Sequence, residues 1–391
     1  MNKKRKICVV TANRAEYSRG RTIIREIYKH PDLEVSLVVM GAHLLEKYGM
    51  TIKEIESDGI PVDHRIYMEL DGKNPTTMTK SVSIAISDLA TFFDNTKPDF
   101  VIALTDRYEI LAVATAAALM NIRVAHIQGG EVTGTIDESI RHAITKLAHV
   151  HFPATDKSKE RVIKMGENPQ DVFNVGCPAT DLLLETEKYS QEETLHKLNE
   201  IVIKDEKQKI QDLNKPFILG LQHPVTTEFG TGKDQIKETL SAISRINDYN
   251  IIMLWPNIDA GGDDISQGIR NFVRDNNKGN LVVVKHIPYK IYVNLIRNAK
   301  VMFGNSSSGM RETCYFGTPT INIGTRQQDR ECGTNVTNVA YDGEEIYNAL
   351  VRQLEHGSYE PEYIYGNGTA GKQIADILSK IEVSVQKRIN Y

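Results

Sequence analysis

The sequence is poor in cysteine and has no excess of positive charge. Its four cysteines lie far apart and form no Cys-x-x-Cys pair, which is typical of a reduced protein in the cytoplasm. The 47 lysine and arginine residues are outnumbered by 51 aspartate and glutamate residues, which leaves a net charge of −4. No positive field is therefore available to hold a polyanion, and we expect no nucleic-acid partner.

Long hydrophobic runs are absent as well. The longest apolar stretch, residues 110–122, is interrupted by Thr115 and Asn121 and is too short to cross a bilayer as a helix. The basic start at residues 2–6 leads into only four apolar residues, 7–10, before polar residues resume. We therefore expect neither a signal peptide nor a membrane partner.

Short β-branched runs alternate with longer amphipathic stretches, and this pattern occurs twice in the 391 residues. Alternating strands and helices produce right-handed βαβ units and parallel sheets. We predict an α/β fold with two doubly wound parallel-sheet domains, residues 1–180 and 181–368, and a cleft between them. A C-terminal helix is expected within residues 369–391; its helical period allows packing on either domain, and packing back on the first domain is one of the two alternatives.

The predicted strands of the first domain are residues 7–11, 33–39, 100–104, 124–127, 150–152 and 172–175. Those of the second domain are residues 217–221, 251–255, 281–284, 301–303, 320–323 and 336–339. A charge-rich segment that we predict to be helical, residues 185–215, separates the two sets.

Polar residues that follow strands are the first candidates for a site, because ligands bind at the carboxyl ends of parallel strands. Arg14 and Ser18 begin a helix after the first strand, where free N–H groups and the helix dipole favour an anion. A plain N-cap beside a surface arginine is the alternative interpretation. Asp106 and Arg107 follow the strand at 100–104, where an aspartate suits catalysis and an Asp–Arg pair equally suits a structural clamp.

A loop rich in glycine and carboxylates follows the strand at 124–127. His126 leads into it, and Glu131 and Asp137 lie within it, so that acid and base roles can be separated by neighbouring charges. Its three glycines, at positions 129, 130 and 134, permit a close approach of the backbone to a ligand. Alternatively, Asp137 and Glu138 simply occupy the first turn of the following helix, where negative charge is favourable.

The second domain contains a phosphate-binding pattern. Ser306 and Ser307 precede a helix, and hydroxyls and free N–H groups at a helix start hold phosphate without a metal. Glu312 lies one turn further, where it suits ribose hydroxyls, and Arg326 adds a positive charge after the next strand. His223, fixed by a following proline, suits acid/base work or phosphate binding. We therefore predict a nucleotide diphosphate ligand in the second domain.

Three other patterns fail. No Gly-x-Gly-x-x-Gly motif is present, so a standard dinucleotide fingerprint is excluded. Residues 230–233 resemble half of a P-loop, but Thr227 stands where the first glycine belongs and Asp234 follows the lysine. His142, His149 and His151 have no flanking ligands, so we predict no metal site.

Seven motifs together resemble the hydrolysing UDP-N-acetylglucosamine 2-epimerases, which are the bacterial sialic-acid pathway enzymes and the epimerase half of the bifunctional animal enzyme. The similarity extends from about residue 5 to about residue 380. The motifs are Asn13-Arg14-Ala15-Glu16-Tyr17-Ser18, Asp106-Arg107, His126-Ile127-x-Gly129-Gly130-Glu131, Ile136-Asp137-Glu138-Ser139-Ile140-Arg141-His142, Gln222-His223-Pro224-Val225-Thr226-Thr227, Asn305-Ser306-Ser307-Ser308-Gly309 and Gly324-Thr325-Arg326-Gln327.

The resemblance implies two Rossmann-like domains in a glycosyltransferase-B-like fold, a UDP-sugar substrate, no cofactor and a homodimer or homotetramer. It implies conversion of UDP-N-acetylglucosamine and water to N-acetylmannosamine and UDP, the first step of sialic acid biosynthesis. UDP contacts are expected at Arg14, Ser18, His223, Asn257, His286, Ser306, Ser307, Glu312 and Arg326. The candidate catalytic residues are Asp106, Glu131 and Asp137, supported by Arg107 and His126, together with Gln128 and His223.

The chain departs from its relatives at three places. Many relatives have His-Gly where this chain has Leu104-Thr105, and most have glutamate where it has Gln128. The non-hydrolysing cousins carry Gly-Gln-His-Arg after the second strand, whereas residues 41–45 read Gly-Ala-His-Leu-Leu, which favours the hydrolysing branch. Two alternatives remain: a hydrolysing 2-epimerase for UDP-2,4-diacetamido-2,4,6-trideoxyglucose in legionaminic acid synthesis, and a catalytically silent nucleotide-sugar-binding regulator.

Overall fold

The repeated strand–helix pattern folds into two parallel sheets, each within its own unit of the chain. The first unit comprises Met1–Glu185 and Tyr365–Tyr391, and the second unit comprises Thr186–Ile364. The computed structural model describes residues 4–71, 75–132, 136–202, 209–225, 228, 230–256, 261–275, 280–284 and 287–390.

The sheet of the first unit has the strand order β3-β2-β1-β4-β5-β6, with all strands parallel. The strands are β1 (Arg5–Thr11), β2 (Leu33–Met40), β3 (His64–Ile66), β4 (Phe100–Leu104), β5 (Arg123–Ile127) and β6 (Val150–Phe152). The helices are α1 (Arg14–Lys29), α2 (Ile52–Ser57), α3 (Pro75–Thr96), α4 (Tyr108–Leu119), α5 (Ile136–Leu147), α6 (Asp156–Lys164), α7 (Pro178–Glu185) and, in the returning segment, α14 (Ala370–Lys380). The strand order reverses between β1 and β4, which is where doubly wound sheets bind ligands.

Apolar layers cover both faces of this sheet. On one face Ile23 and Ile27 of α1 pack with Leu378 of α14, all fully buried, and on the other face the alanine-rich α4 packs against the strands. Polar bonds also hold the returning segment, because Arg5 Nη1 donates to the carbonyl oxygens of Leu378 and Ile381 at 2.7 Å each. The C-terminal helix is therefore part of the first unit.

Residues 381–390 continue beyond α14 and contact the end of α5. Lys387 Nζ donates to the carbonyl oxygen of Ala148 at 2.7 Å and lies 2.5 Å from Glu167 Oε2. Burial alone would raise the pKa of Glu167, but hydrogen bonds from His151, Lys146 and Lys387 outweigh it and bring the pKa to about 2. A buried ion-pair cluster thus fastens the tail to the helix that carries Asp137.

The sheet of the second unit has the strand order β12-β11-β10-β7-β8-β9, again with parallel pairs. The strands are β7 (Phe217–Leu221), β8 (Asn250–Leu254), β9 (Leu281–Val284), β10 (Met302–Gly304), β11 (Thr320–Ile323) and β12 (Val336–Val339). The helices are α8 (Gln191–Ile201), α9 (Gly232–Ile243), α10 (Gly262–Asp275), α11 (Tyr289–Asn298), α12 (Ser308–Arg311) and α13 (Gly343–His356). Among the described residues, no helix has the length and hydropathy needed to cross a membrane.

The predicted doubly wound sheets are confirmed, but two local predictions are wrong and one strand was not predicted. Residues 172–175 form no strand, because Val172 makes only an isolated bridge with His151. The helix expected over 185–215 is limited, in the described part of that segment, to the end of α7 and to α8. The three-residue strand β3 was missed, since so short a run has no readable period.

Candidate functional site

Asp106 follows β4 and is held by a buried arginine of α5. Arg141, only 1% exposed, donates from Nε to Asp106 Oδ2 at 3.1 Å, and its Nη2 contacts the same oxygen. Its Nη1 donates to the carbonyl oxygen of Glu131 at 2.7 Å. Within the described part of the chain the hydrogen bonds to the Asp106 carboxylate all reach Oδ2, and the side chain is 21% exposed.

His126 of β5 is fully buried and is engaged through both ring nitrogens. Its Nε2 lies 2.9 Å from the carbonyl oxygen of Thr105, and its Nδ1 lies 3.1 Å from Thr145 Oγ1. Because a carbonyl oxygen only accepts, Nε2 carries the hydrogen. Burial lowers the pKa of His126 to about 3, so the ring is neutral. This geometry suits the supporting role predicted for His126.

Gln128 follows β5 with a left-handed backbone, φ +62°. Its side chain is buried, and Nε2 lies 2.6 Å from the thiol sulfur of Cys177. Its backbone N–H donates to the carbonyl oxygen of Phe152 at 2.9 Å. The amide thus makes a contact inside the first unit, and membership of Gln128 in the catalytic set stays a prediction.

The glycines of this loop serve internal packing. A Cβ at Gly129 would lie 2.9 Å from His126 Nδ1, and one at Gly130, where φ is +79°, would lie 2.3 Å from the carbonyl oxygen of Ser158. Internal packing therefore already requires glycine at these two positions, and the close approach of their backbone to a ligand stays a prediction. Gly134 lies outside the described residues.

The remaining acidic candidates lie in this loop and at the start of α5. Glu131 is 7% exposed, and its backbone is bound by Arg141 as described above. Asp137 and Glu138 occupy the first turn of α5, as the alternative interpretation predicted. The three histidines excluded as a metal set contact different partners: His142 faces Glu138, His149 binds the backbone and His151 binds Glu167.

The loop after β1 starts α1 in the way that its sequence predicts. Asn13 is the N-cap, and its side chain accepts from the N–H of Glu16 at 3.1 Å. Arg14 is the first helical residue, with a side chain that is 45% exposed and an Nε 3.6 Å from Glu54 Oε2. Ser18 lies one turn further and is half-buried.

Arg107 extends from the start of α4 to a pair of buried acids. Its Nε lies 3.2 Å from Glu109 Oε2, while Glu16 accepts from the N–H of Ala12 at 2.8 Å. Burial, followed by the charge of Glu109, raises the pKa of Glu16 to about 8. The buried acids Glu16 and Glu109 therefore lie beside the predicted switch point between β1 and β4.

Asn305, which follows β10, joins three loops of the second unit. Its Oδ1 accepts from the N–H of His223 at 2.6 Å, and its Nδ2 donates to the carbonyl oxygen of His223 at 2.8 Å. Its own carbonyl oxygen accepts from Gln327 at 3.0 Å and from Arg326 at 3.3 Å. Because β7, β10 and β11 are neighbours, the candidates His223 and Arg326 lie along one edge of the sheet.

The other candidates of the second unit lie around the short helix α12. Ser306 is 8% exposed and accepts from the N–H of Ser308 at 3.3 Å, Ser307 is the N-cap of α12, and Glu312 is its C-cap. Asn257 and His286 lie outside the described residues. Arg141 and Asn305 occur in the sequence motifs without a predicted role, because burial and long-range partners are not visible in a motif.

Comparison with known proteins identifies the family. Residues 25–379 match the family model described as UDP-N-acetylglucosamine 2-epimerase. The chain is 33% identical over 382 residues to the Legionella pneumophila protein named UDP-N,N'-diacetylbacillosamine 2-epimerase (hydrolyzing), covering 98% of this chain and 97% of that one. It is 31% identical over 390 residues to the UDP-N-acetylglucosamine 2-epimerase of Neisseria meningitidis serogroup B, covering 98% of each.

A solved structure supports the same fold. The crystal structure of UDP-GlcNAc 2-epimerase from Neisseria meningitidis bound to UDP-GlcNAc aligns with a TM-score of 0.77 at 19% identity, covering 95% of this chain and 99% of that chain. The fold is thus of the glycosyltransferase-B-like class with two Rossmann-like domains. The chain belongs to the UDP-N-acetylglucosamine 2-epimerase family.

Replacing Gln128 by glutamate is expected to give no gain in turnover. A carboxyl at this position would be buried against Cys177, where burial favours its neutral form and no proton acceptor is created. We expect kcat to stay the same or fall and the Tm to decrease, measured by UDP release and thermal unfolding of Gln128→Glu. A gain of about 10²-fold or more, the usual value of an acid/base group, would contradict this interpretation.

Proposed function

We propose that this protein is a hydrolysing 2-epimerase that converts UDP-N-acetylglucosamine and water to N-acetylmannosamine and UDP. A base removes the proton from C2 while the bond from C1 to the UDP oxygen breaks, and 2-acetamidoglucal forms. Water then adds its oxygen to C1, and a proton is delivered to C2 from the opposite face. The reaction needs a base at C2 and stabilisation of the charge on departing UDP.

The proton transfers are assigned to the carboxylates of the first unit. Asp106 offers Oδ1 to the substrate while Arg141 holds Oδ2, which fixes the direction of the carboxylate. Glu131 and Asp137 carry the remaining acid and base work. His126, whose ring is neutral and bound at both nitrogens, supports Asp106 through the neighbouring residue Thr105.

We assign the binding of the departing diphosphate to positively charged side chains and to residues at helix N-termini. In the first unit, Arg14 and Ser18 lie at the start of α1, while Arg107, which follows β4, is assigned to support the acid/base residues. In the second unit, His223, Ser306, Ser307, Glu312 and Arg326 lie around Asn305 and α12, and Asn257 and His286 complete the proposed contacts. Arginine and N–H donors meet the charge of phosphate without a metal.

The loop after β2 is the feature on which we base the choice of the hydrolysing over the non-hydrolysing branch. His43 is fully buried there, with Nε2 3.0 Å from Thr11 Oγ1 and Nδ1 2.6 Å from Thr51 Oγ1. Burial lowers the pKa of His43 to about 4, so it carries no charge for an anion. This loop also lacks the glutamine and arginine with which the non-hydrolysing cousins bind a second nucleotide sugar, and their absence supports the hydrolysing branch.

Solvent deuterium should appear at C2 of the released sugar. The original C2 proton is lost in the elimination and is replaced from solvent during hydration, so proton NMR of UDP-N-acetylglucosamine with the enzyme in heavy water should show N-acetylmannosamine without a C2–H signal. Retention of the original hydrogen would rule out this route. Binding of UDP without any sugar release would favour the silent nucleotide-sugar-binding regulator.

The Legionella relative supports a second candidate substrate. The name of that relative contains UDP-N,N'-diacetylbacillosamine, which is UDP-2,4-diacetamido-2,4,6-trideoxyglucose and differs from UDP-N-acetylglucosamine only at C4 and C6. Elimination across C1 and C2 uses the same groups for both sugars. Parallel NMR experiments with each nucleotide sugar, compared by kcat/KM for UDP release, decide between them.

A further inference from the structure

Thr105 lies between β4 and Asp106 in a conformation that its side chain disfavours. Its φ is +72°, a left-handed value that is a genuine outlier for a β-branched residue. It is 2% exposed, and among the described residues its Oγ1 has no hydrogen-bond partner. Strain of this kind persists only where the surrounding structure enforces it, and it concentrates at functional sites.

One face of α5 supplies the enforcing contacts. Thr145 Oγ1 lies 3.1 Å from His126 Nδ1, and His126 Nε2 donates to the carbonyl oxygen of Thr105 at 2.9 Å. One turn earlier on the same face, Arg141 binds the carboxylate of Asp106. The helix therefore holds two consecutive residues, one through its backbone and one through its side chain.

We propose that Arg141 and Thr145 of α5, the latter through His126, clamp the Thr105–Asp106 turn in its left-handed conformation and so aim Oδ1 of Asp106 at the substrate. Arg141 and His126 are then positioning residues, since each acts through Asp106 or its neighbour. The inference rests on the proposed function only for the role of Asp106. The geometry of the clamp is independent of that role.

Glycine at position 105 provides the test, because glycine adopts left-handed backbone without strain. In the native background, His126→Leu should lower kcat for UDP release by about 100-fold with little change in KM, the usual effect of misplacing a catalytic group by 1 Å. In the Thr105→Gly background the turn no longer needs the clamp, and His126→Leu should lower kcat by about tenfold or less. Equal losses in the two backgrounds would overturn the proposal.

Lys97 supplies a matched control. It is also left-handed, with φ +49°, but it is exposed and precedes β4 at the opposite edge of the sheet. Lys97→Gly should not reduce the loss of kcat caused by His126→Leu. If it does, relief of backbone strain at any position would explain the result, and the clamp would be rejected. His126→Gln, which keeps a donor near the Nε2 position, should retain more kcat than His126→Asn, and this pair replaces His126→Leu if that variant does not fold.

A stability measurement separates the clamp from the proposed function. If the native protein releases no UDP from either nucleotide sugar, the proposed function fails, but the coupling remains measurable by thermal unfolding. His126→Leu should then lower the Tm by less in the Thr105→Gly background than in the native one. Equal decreases in Tm would overturn the clamp whatever the enzyme does.

Discussion

Asp106→Asn is expected to lower kcat for UDP release by about 10²–10⁴-fold, the usual contribution of a general acid or base. The asparagine carbonyl can still accept from Arg141, so the loop should keep its position, but the outward-facing atom becomes an amide that cannot take a proton. Turnover and loss of the C2–H signal should therefore fall together. Affinity for UDP, measured by calorimetry, should remain.

The control for this variant lies at the opposite end of the same strand. Asp99 precedes β4 at its other end, is exposed and accepts from the N–H of Lys6 at 2.8 Å. Asp99→Asn makes the same chemical change about 20 Å away along the strand direction, by the rise of an extended chain. Its kcat should match that of the native protein. An Asp106→Asn variant that keeps turnover within tenfold of native would remove Asp106 from the proton-transfer set.

The strand ends were predictable from the sequence because buried parallel strands form short apolar runs with clear limits. Phe100–Leu104 and Phe217–Leu221 have the predicted bounds, and the polar residues after them lie at sheet edges as expected. The residues that organise these edges were not predictable in the same way. Asn305 and His223 are bonded across 82 positions of sequence, which no local period encodes.

Backbone conformation was the second feature that could not be predicted from the sequence. Threonine favours extended structure, so nothing in the letters Leu104-Thr105-Asp106 indicates a left-handed residue. The relatives' glycine at position 105 was the available signal, since glycine is the residue expected where φ is positive. In this chain residue 105 is left-handed although it is not a glycine, and the contacts that hold the turn come from His126 and Arg141, which are distant in sequence.

Asn305→Ala is expected to weaken both the second unit and its affinity for UDP. The change removes the partners of the N–H and the carbonyl oxygen of His223. A fully buried backbone group without a partner costs about 1–3 kcal/mol. Because His223 is only half-buried, its two groups should cost less than the full amount, and the free energy of unfolding should fall by about 2–4 kcal/mol. The side chain of Asn305 holds the loop of His223, while its backbone carbonyl, which alanine keeps, accepts from Gln327 and Arg326. Because the loop of His223 is released, we expect the Kd for UDP, measured by calorimetry, to rise at least about tenfold, which is 1.4 kcal/mol.

The variant Asn335→Ala is the control that distinguishes a loss of stability from a loss of UDP binding. Asn335 is buried and makes two side-chain bonds, to Thr313 Oγ1 at 2.9 Å and to the carbonyl oxygen of Thr318 at 2.7 Å, at the edge where β11 and β12 begin. Asn335→Ala should therefore lower the Tm by a similar amount but leave the Kd for UDP unchanged, since it lies at the opposite edge of the sheet from His223. If the two variants bind UDP equally well, Asn305 stabilises the unit without shaping a nucleotide site, and the assignment of UDP to the edge formed by β7, β10 and β11 is wrong.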